Sequence, residues 1–367
     1  MDLIPRIEQL REEAGFSFDV ELFVAILAAL VGKQHAIVTV GQKNYLDFVE
    51  QMILLIGSNI FGFKTRSVTC TSSTTTEEFI NAMLIQSESA PGMFSPLPTP
   101  SYESSTEMPW NGLKMDATDE MRVLLQQRQR EFTHRGHKFP NLLVIRDLDL
   151  SSNYVQSQIL EIIRTKKLIT AKGVFLTPPS FLIIPLCLKT NSKLHLFPYL
   201  LDHFCLSHYY EPADADDFEC TSETLTRTPE LRSDNPQELF TAKEIDLLSN
   251  HASSVVISPE IRRYMHDIIV FLRMHRATRG GISARSSRDF EILIKCLCPL
   301  HHVGYAIPTI VVIAARKVFG HRINMATAAE DRSVLYGSDP KAVGQFLQEW
   351  TPDLVLDDIF ETVPAPI

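Results

Sequence analysis

The chain has 367 residues, of which 45% are hydrophobic and 22% charged, enough for two packed domains of roughly 100 to 200 residues each. A net charge of -9 and a pI near 5.8 argue against a dedicated nucleic-acid binder, because neutralising phosphates needs a basic surface. The longest uninterrupted apolar run, Leu22 to Val31, is far short of the roughly 20 residues that cross a bilayer, and the N-terminus is acidic where a secretory signal would be basic. The expectation is therefore an intracellular protein, nuclear or cytoplasmic, without membrane association.

Residues 2 to 31 read as two short helices, the second of them, from Phe18, apolar enough to be buried. His35 to Val40 is a short β-branched run of the kind that forms a buried strand, and Asp47 to Ile56 follows as an apolar helix. Phe63 to Thr69 predicts a second strand. Thr76 to Leu84 predicts a helix capped by threonines, with Glu77 and Glu78 in its first turn. From Ser87 to Gly112 the chain is dense in Pro and Ser, which predicts a disordered insertion, and Asp116 to Phe132 resumes as a charged helix. Strands are expected at Leu142 to Ile145 and Phe181 to Leu186, the latter after a turn region from Gly173 to Pro179. Short apolar strands alternating with helices imply a parallel sheet covered on both faces.

Glu211 to Glu238, with Asp214, Asp216, Asp217 and Glu219, reads as an acidic linker. Beyond it the pattern is helical, at Ala242 to Asn250, Pro259 to Arg276, Ala284 to Leu297, Ile307 to Phe319 and Pro340 to Trp350, with no strand of weight. Tyr336-Gly-Ser-Asp-Pro340 reads as a turn that launches the last helix, with Asp339 as N-cap and Pro340 at the first position. The six cysteines form no CxxC pair. Cys296-Leu-Cys298 near His301 and His302 lies in the apolar run Ile292 to Leu300, so it is assigned to packing and no metal ligands are expected. Two stretches, Arg122 to Lys138 and Arg262 to Arg288, could form basic patches, but solvated helix faces account for them. There is no GxSxG elbow, no HExxH, and no GxGxxG after a strand.

The stretch from Phe139 to Arg164, a strand running into an acidic turn and then a helix with Gln156-Ser-Gln-Ile-Leu-Glu161, resembles the magnesium site of AAA+ ATPases of the MoxR and magnesium-chelatase type. In that family the strand ends in Asp-Glu and the helix carries Gln-Ser-x-Leu-Leu-Glu. Pro198-Tyr-Leu-Leu-Asp-His-Phe204 resembles the family's Leu-Asp-Arg-Phe element, Val256 to Thr278 its lid segment ending in Val-Arg-x-Thr-Arg, and Gly281-Ile-Ser-Ala-Arg-Ser286 its Gly-Ala-Ser-Pro-Arg-Ala motif. The resemblance covers most of residues 20 to 325. A second one, carried by Ile261 to Arg276 and Ser333 to Pro340, is to a fungal family connected with telomere capping, and it implies a role around chromosome-end protection.

The resemblance implies a nucleotide pocket, and the residues at its positions are degenerate. A phosphate loop needs GxxxxGK[ST], so that glycines admit the phosphates, Lys reaches them and a hydroxyl binds Mg²⁺. Gly41 opens the loop after its strand, but Leu46, Asp47 and Phe48 stand where Gly, Lys and Ser/Thr belong, and only a rearranged loop would let Lys43 and Asn44 touch a phosphate. Arg146 takes the place of the metal-binding acid, Asp147 that of the water-activating Glu, Leu188 that of the first-sensor Asn and His203 that of the arginine finger. Only Arg285, at the second-sensor position, matches. A guanidinium repels Mg²⁺, so Arg146 is expected to pair with Asp47 instead.

The expected fold class is α/β: an AAA+ (P-loop NTPase-like) parallel-sheet domain over residues 1–210, an acidic linker at 211–240, an all-helical lid at 241–350 and a tail at 351–367. No catalytic residue, cofactor or metal is expected, and the function is read as non-catalytic interaction or scaffolding. The alternatives are a protein that binds ATP with Mg²⁺ without turnover, or a weak MoxR-type ATPase or remodelling factor. Protein partners are expected, at the acidic linker and the basic lid helices. Nucleic acid, disfavoured by net charge, would need Arg262, Arg263, Arg273, Arg276 and Arg279 on one side of the lid.

Overall fold

The computed structural model describes residues 3–14, 16–86, 137–170, 173–189, 194–211 and 239–366. The expected Pro/Ser-rich insertion, the helix at 116–132, and nearly all of both the basic stretch at 122–138 and the acidic linker lie outside the described residues.

Two helices, α1 (Leu3–Ala14) and α2 (Val20–Val31), precede the first strand, β1 (His35–Val40), which leads into α3 (Asn44–Leu55). Next come β2 (Thr65–Thr69) and α4 (Thr76–Met83), the latter opened by a capping box in which Thr75 and Glu78 satisfy each other's backbone amides. The short strands β3 (Ile85–Gln86) and β4 (His137–Lys138) pair with each other, and β5 (Leu142–Arg146) leads through a single 3-10 turn into α5 (Asn153–Thr165). A hairpin, β6 (Lys167–Thr170) with β7 (Gly173–Leu176), precedes β8 (Leu182–Leu188), α6 (Pro198–Leu201) and β9 (Phe204–Tyr210).

β1, β2, β5, β8 and β9 form one sheet in the order β2-β5-β8-β1-β9, and every pairing in it is parallel. Alternate residues face opposite sides, as strand geometry requires. Leu182, Ile184 and Leu186 of β8 join one hydrophobic core, while Ile183 and Cys187 join the other. α4, α5, α6 and the hairpin cover the second face.

The first face is covered by the N-terminal helices and by the C-terminal helices together. These are α7 (Ala242–Ser254), α8 (Pro259–Met274), α9 (Ala284–Leu300), α10 (Pro308–Phe319), α11 (Arg332–Leu335), α12 (Pro340–Gln348) and α13 (Pro352–Thr362). α2 packs against β1, β9, α7 and α9, so the lid and the sheet share one continuous core. This explains why α2 is apolar nearly all round: it is sandwiched, with Leu22, Phe23, Ile26 and Leu27 buried.

Several elements depart from the expectations. The turn region at Gly173 to Pro179 contains β7, because Phe175 pairs with Leu168 and buries beside it. The edge strand β9 escapes pattern reading because Ser207 and His208 interrupt its apolar run; packing from α10 buries His208, which lies 3.0 Å from the Lys317 amine. Two short strands, β10 (Thr278–Gly280) and β11 (Asn324–Met325), pair within the lid, where none was expected. The tail carries α13, capped by Thr351 and anchored through Val355, Leu356 and Ile359. At the turn before α12, Asp339 caps the helix by accepting from the Lys341 amide at 3.0 Å, and Val343 and Leu347 are its buried anchors.

Candidate functional site

In an open parallel sheet, ligands bind in the crevice outside the carboxyl ends of the strands. Here that edge gathers the ends of β1, β5, β8 and β9, and with them Gly41, Lys43, Asp47, Arg146 and Asp147.

The connection from β1 to α3 is only Gly41-Gln42-Lys43, because the helix begins at Asn44. Leu46, Asp47 and Phe48 therefore stand inside the helix, where Leu46 and Phe48 point into the core and Asp47 points out. A phosphate cradle needs a longer run of free backbone amides than this connection offers. The space beside Gly41 is also taken: a Cβ added there would lie 2.5 Å from the hydroxyl oxygen of Tyr209. The Lys189 ammonium sits 4.3 Å from the centre of the Tyr209 ring and 3.5 Å from the Asp353 carboxylate of α13. Tyr209 thus stands over Gly41, and Lys189 and Asp353 stand beside Tyr209.

Arg146 ends β5 with its side chain mostly buried. Its guanidinium pairs with Asp47, as the inverted charges imply, and also lies 3.3 Å from Glu50 and 3.6 Å from Asp147. Asp147 has a left-handed backbone (φ 53) that starts the 3-10 turn. Burial raises its carboxyl above the usual range, with Arg146 pulling the other way. Asp149 faces the buried Cys187 thiol, which burial first and Asp149 second push well above its ordinary range. A Mg²⁺ held here would sit against a guanidinium already satisfied by three carboxylates, so these residues do not fit a bound magnesium nucleotide.

His203 and Arg285 are not part of this arrangement. His203 immediately precedes β9, and the first residue of that strand, Phe204, is in register with His35 at the start of β1. Both histidines therefore lie at the amino edge of the sheet, on the order of 15–20 Å from the carboxyl edge for strands of this length. Arg285 is there too. Burial and then Arg285 depress His203 to about 4, and the same two causes lower Lys166, which follows α5 as that helix returns to the amino edge. Near them Arg322, itself buried, donates to Asp289 at 2.6 Å and to the Phe204 and Asp202 carbonyls at 2.7 and 3.1 Å. The seven pocket positions thus separate into five at one edge and two at the other.

Sequence reasoning missed Glu50, Tyr209 and Lys189. Glu50 had a signal, since a carboxylate three residues beyond Asp47 shares its helix face. Tyr209 had none, because it belongs to the strand that the pattern concealed.

A parallel sheet in this order, with a turn after β5 and a helical lid packed on one face, is the AAA+ fold. The crystal structure of a candidate ATPase from Cytophaga hutchinsonii superposes with a TM-score of 0.60 over 95% of this chain and 94% of that one, at 13% identity, a likeness of fold alone. No protein-family model matches the chain. Over shorter stretches it is similar to the maintenance of telomere capping protein 2 of several yeasts. It is 33% identical to that of Lachancea thermotolerans over 113 residues (29% of this chain, 40% of that protein) and 32% identical to that of Kluyveromyces lactis over 102 residues (26% and 37%). The Saccharomyces cerevisiae protein is 32% identical over 146 residues, 36% of this chain and 40% of that protein. The matches span about two fifths of the length of these curated relatives.

Proposed function

We propose that the chain is a non-catalytic scaffold of AAA+ shape that holds partner proteins inside the cell, in the nucleus or cytoplasm, in a process that serves telomere capping. The observation that carries the reading is Arg146. At the position where the family's metal acid stands, its guanidinium engages Asp47, Glu50 and Asp147, so an internal ion cluster takes the place of nucleotide and metal. The telomere connection rests on the names of the relatives matched over 26% to 36% of the chain.

Protein partners are favoured over nucleic acid because the lid arginines are already engaged. Arg262 lies 3.9 Å from Glu291, Arg263 3.9 Å from Asp267, Arg276 2.8 Å from Asp331 and Arg279 2.7 Å from Glu330, while Arg273 donates to the Ile282 carbonyl. A guanidinium paired to a carboxylate adds little to the positive field that phosphates require.

Nucleotide binding without turnover is the second reading, favoured by one feature: α3 opens at Lys43 with no side-chain cap, so a helix N-terminus stands beside a cation, although the Tyr45 and Leu46 amides already donate to the Gln42 and Lys43 carbonyls. Calorimetry with Mg-ATP decides. The scaffold reading expects no heat of binding, and a Kd below about 100 μM, roughly 5.5 kcal/mol, overturns it in favour of a nucleotide binder. Steady phosphate release above the blank overturns both.

A further inference from the structure

The hairpin β6–β7 presents two unlike faces. Leu168 and Phe175 are paired and buried against the sheet's second core. On the outer face Lys167 pairs with Leu176 and Ile169 with Val174, leaving Ile169, Val174 and Leu176 at 66%, 36% and 47% exposure. Three aliphatic side chains standing together in water on one small two-stranded sheet are unusual for a surface with no partner. Among the described residues, neither strand pairs with any other; the Thr165 hydroxyl occupies the Lys167 amide and carbonyl at 3.3 and 3.0 Å on the β6 side, so the open edge is that of β7.

The charge at the base of this hairpin is mainly positive. Arg164, Lys166 and Lys167 are exposed at the base of the hairpin, and none of them pairs with a carboxylate among the described residues. Arg285, partly exposed, lies close enough to Lys166 and His203 to disfavour their protonation. Arg164, Lys166 and Lys167 form a local cationic edge on a chain of net charge -9, whereas Arg276, Arg279 and Arg285 in the lid each face a carboxylate.

We propose that this hairpin, with Arg164, Lys166 and Lys167 at its base, is the docking surface for an extended acidic segment of a partner protein that also carries aliphatic side chains. Such a segment adds as a strand to an open hairpin edge, sets its aliphatic residues on Ile169, Val174 and Leu176, and places its carboxylates against the cations. Single-stranded nucleic acid fits less well, since it is gripped by stacking on aromatic rings and this face offers only aliphatic ones. The proposal rests on the reading of the chain as a protein scaffold and adds to it where the partner sits and what chemistry it has.

The test is fluorescence anisotropy of the full chain with a labelled peptide of alternating aspartate and leucine. Parallel titrations use an aspartate–serine peptide, a lysine–leucine peptide, a short single-stranded DNA, and phosphatidylcholine vesicles with and without phosphatidylserine. Two double variants are compared with the native chain: Ile169→Thr with Leu176→Thr, and Lys166→Glu with Lys167→Glu. All four side chains are exposed, so thermal unfolding should be unchanged and loss of binding is then not loss of fold. The aspartate–leucine peptide should bind best and lose at least about tenfold in affinity in each variant. Binding that ignores both variants, or no binding of that peptide, overturns the hairpin site. If the lysine–leucine peptide still binds both variants, the scaffold reading stands without this site. Preferential capture of DNA or of phosphatidylserine vesicles that both variants abolish overturns the acidic-peptide assignment and weakens the scaffold reading with it.

Discussion

Arg146 and Asp47 lie 99 positions apart and meet at the carboxyl edge of the sheet, one ending β5 and the other in the first turn of α3. Each carries the charge opposite to the one that a magnesium nucleotide would need at its position. Together they cancel, and Glu50 and Asp147 complete a cluster in which the arginine is the hub.

The hub predicts an asymmetry between substitutions. Asp47 is 74% exposed, so Asp47→Asn should cost less than about 1 kcal/mol, as exposed ion pairs do. Arg146→Met leaves Glu50 and Asp147 partly buried without their cation and should cost about 2 kcal/mol. Urea unfolding of both variants checks this, and an Asp47 variant that loses as much stability as the Arg146 variant would show that the arginine is not the hub.

The buried histidines predict acid lability. Burial depresses His35, His208 and His321 to about 3 each, and burial with Arg285 depresses His203 to about 4. The unfolded chain holds these rings near pKa 6.5, so it takes up protons that the folded chain refuses. Their contribution is fully present above about pH 6.5 and is lost progressively as pH falls to about 4 for His203 and about 3 for the other three, each ring weakening the fold by up to about 1.4 kcal/mol per pH unit in that window. Thermal unfolding at pH 7.5, 6 and 5 should show a steepening fall in Tm. A flat profile across that range would mean that the rings are not held neutral.

How much of this was legible in the residues depends on the kind of signal. β1, β5 and β8 are runs of branched and aliphatic side chains, and burial on both faces leaves them no room to be otherwise. β9 is mostly buried but carries Ser207 and His208, which meet partners from α10 that no local pattern reveals. The charge reversal at Arg146 and Asp47 was readable because both positions were fixed by neighbouring motifs. That Arg285 lies at the opposite edge was not readable, since motif spacing sets a position in the chain without saying which end of a sheet a packed lid will meet.

The cap of α12 gives a smaller, cleaner prediction. Asp339 accepts from the Lys341 amide, and α12 seats Val343 and Leu347 in the core, while Arg276 reaches across to stack on Phe346 at 4.9 Å. Asp339→Ala should cost about 1 kcal/mol and lower the helical signal near the melting transition. Asp339→Asn, which keeps an acceptor oxygen, should restore most of it. Identical Tm values for the native and alanine chains would remove the capping role.

The joint between lid and sheet turns on Gly281 and Arg322. Gly281 opens the turn into α9 with φ 100, a conformation that side chains rarely adopt, and a Cβ there would fall 1.8 Å from the Arg322 carbonyl oxygen. The side chain of the same Arg322 is buried against Asp289 and the Asp202 and Phe204 carbonyls, so its backbone cannot retreat without drawing the guanidinium out of its partners. Gly281→Ala should therefore cost more than the roughly 1–3 kcal/mol of backbone strain alone. Arg322→Met, which strands the Asp289 carboxylate in the core, should cost about 3–5 kcal/mol, and adding Asp289→Leu should recover part of that by removing the orphaned charge. Chemical unfolding of the three chains tests the joint. If Gly281→Ala unfolds at the native midpoint, or if the Asp289 substitution deepens the Arg322 loss instead of relieving it, the lid is not held to the sheet in this way.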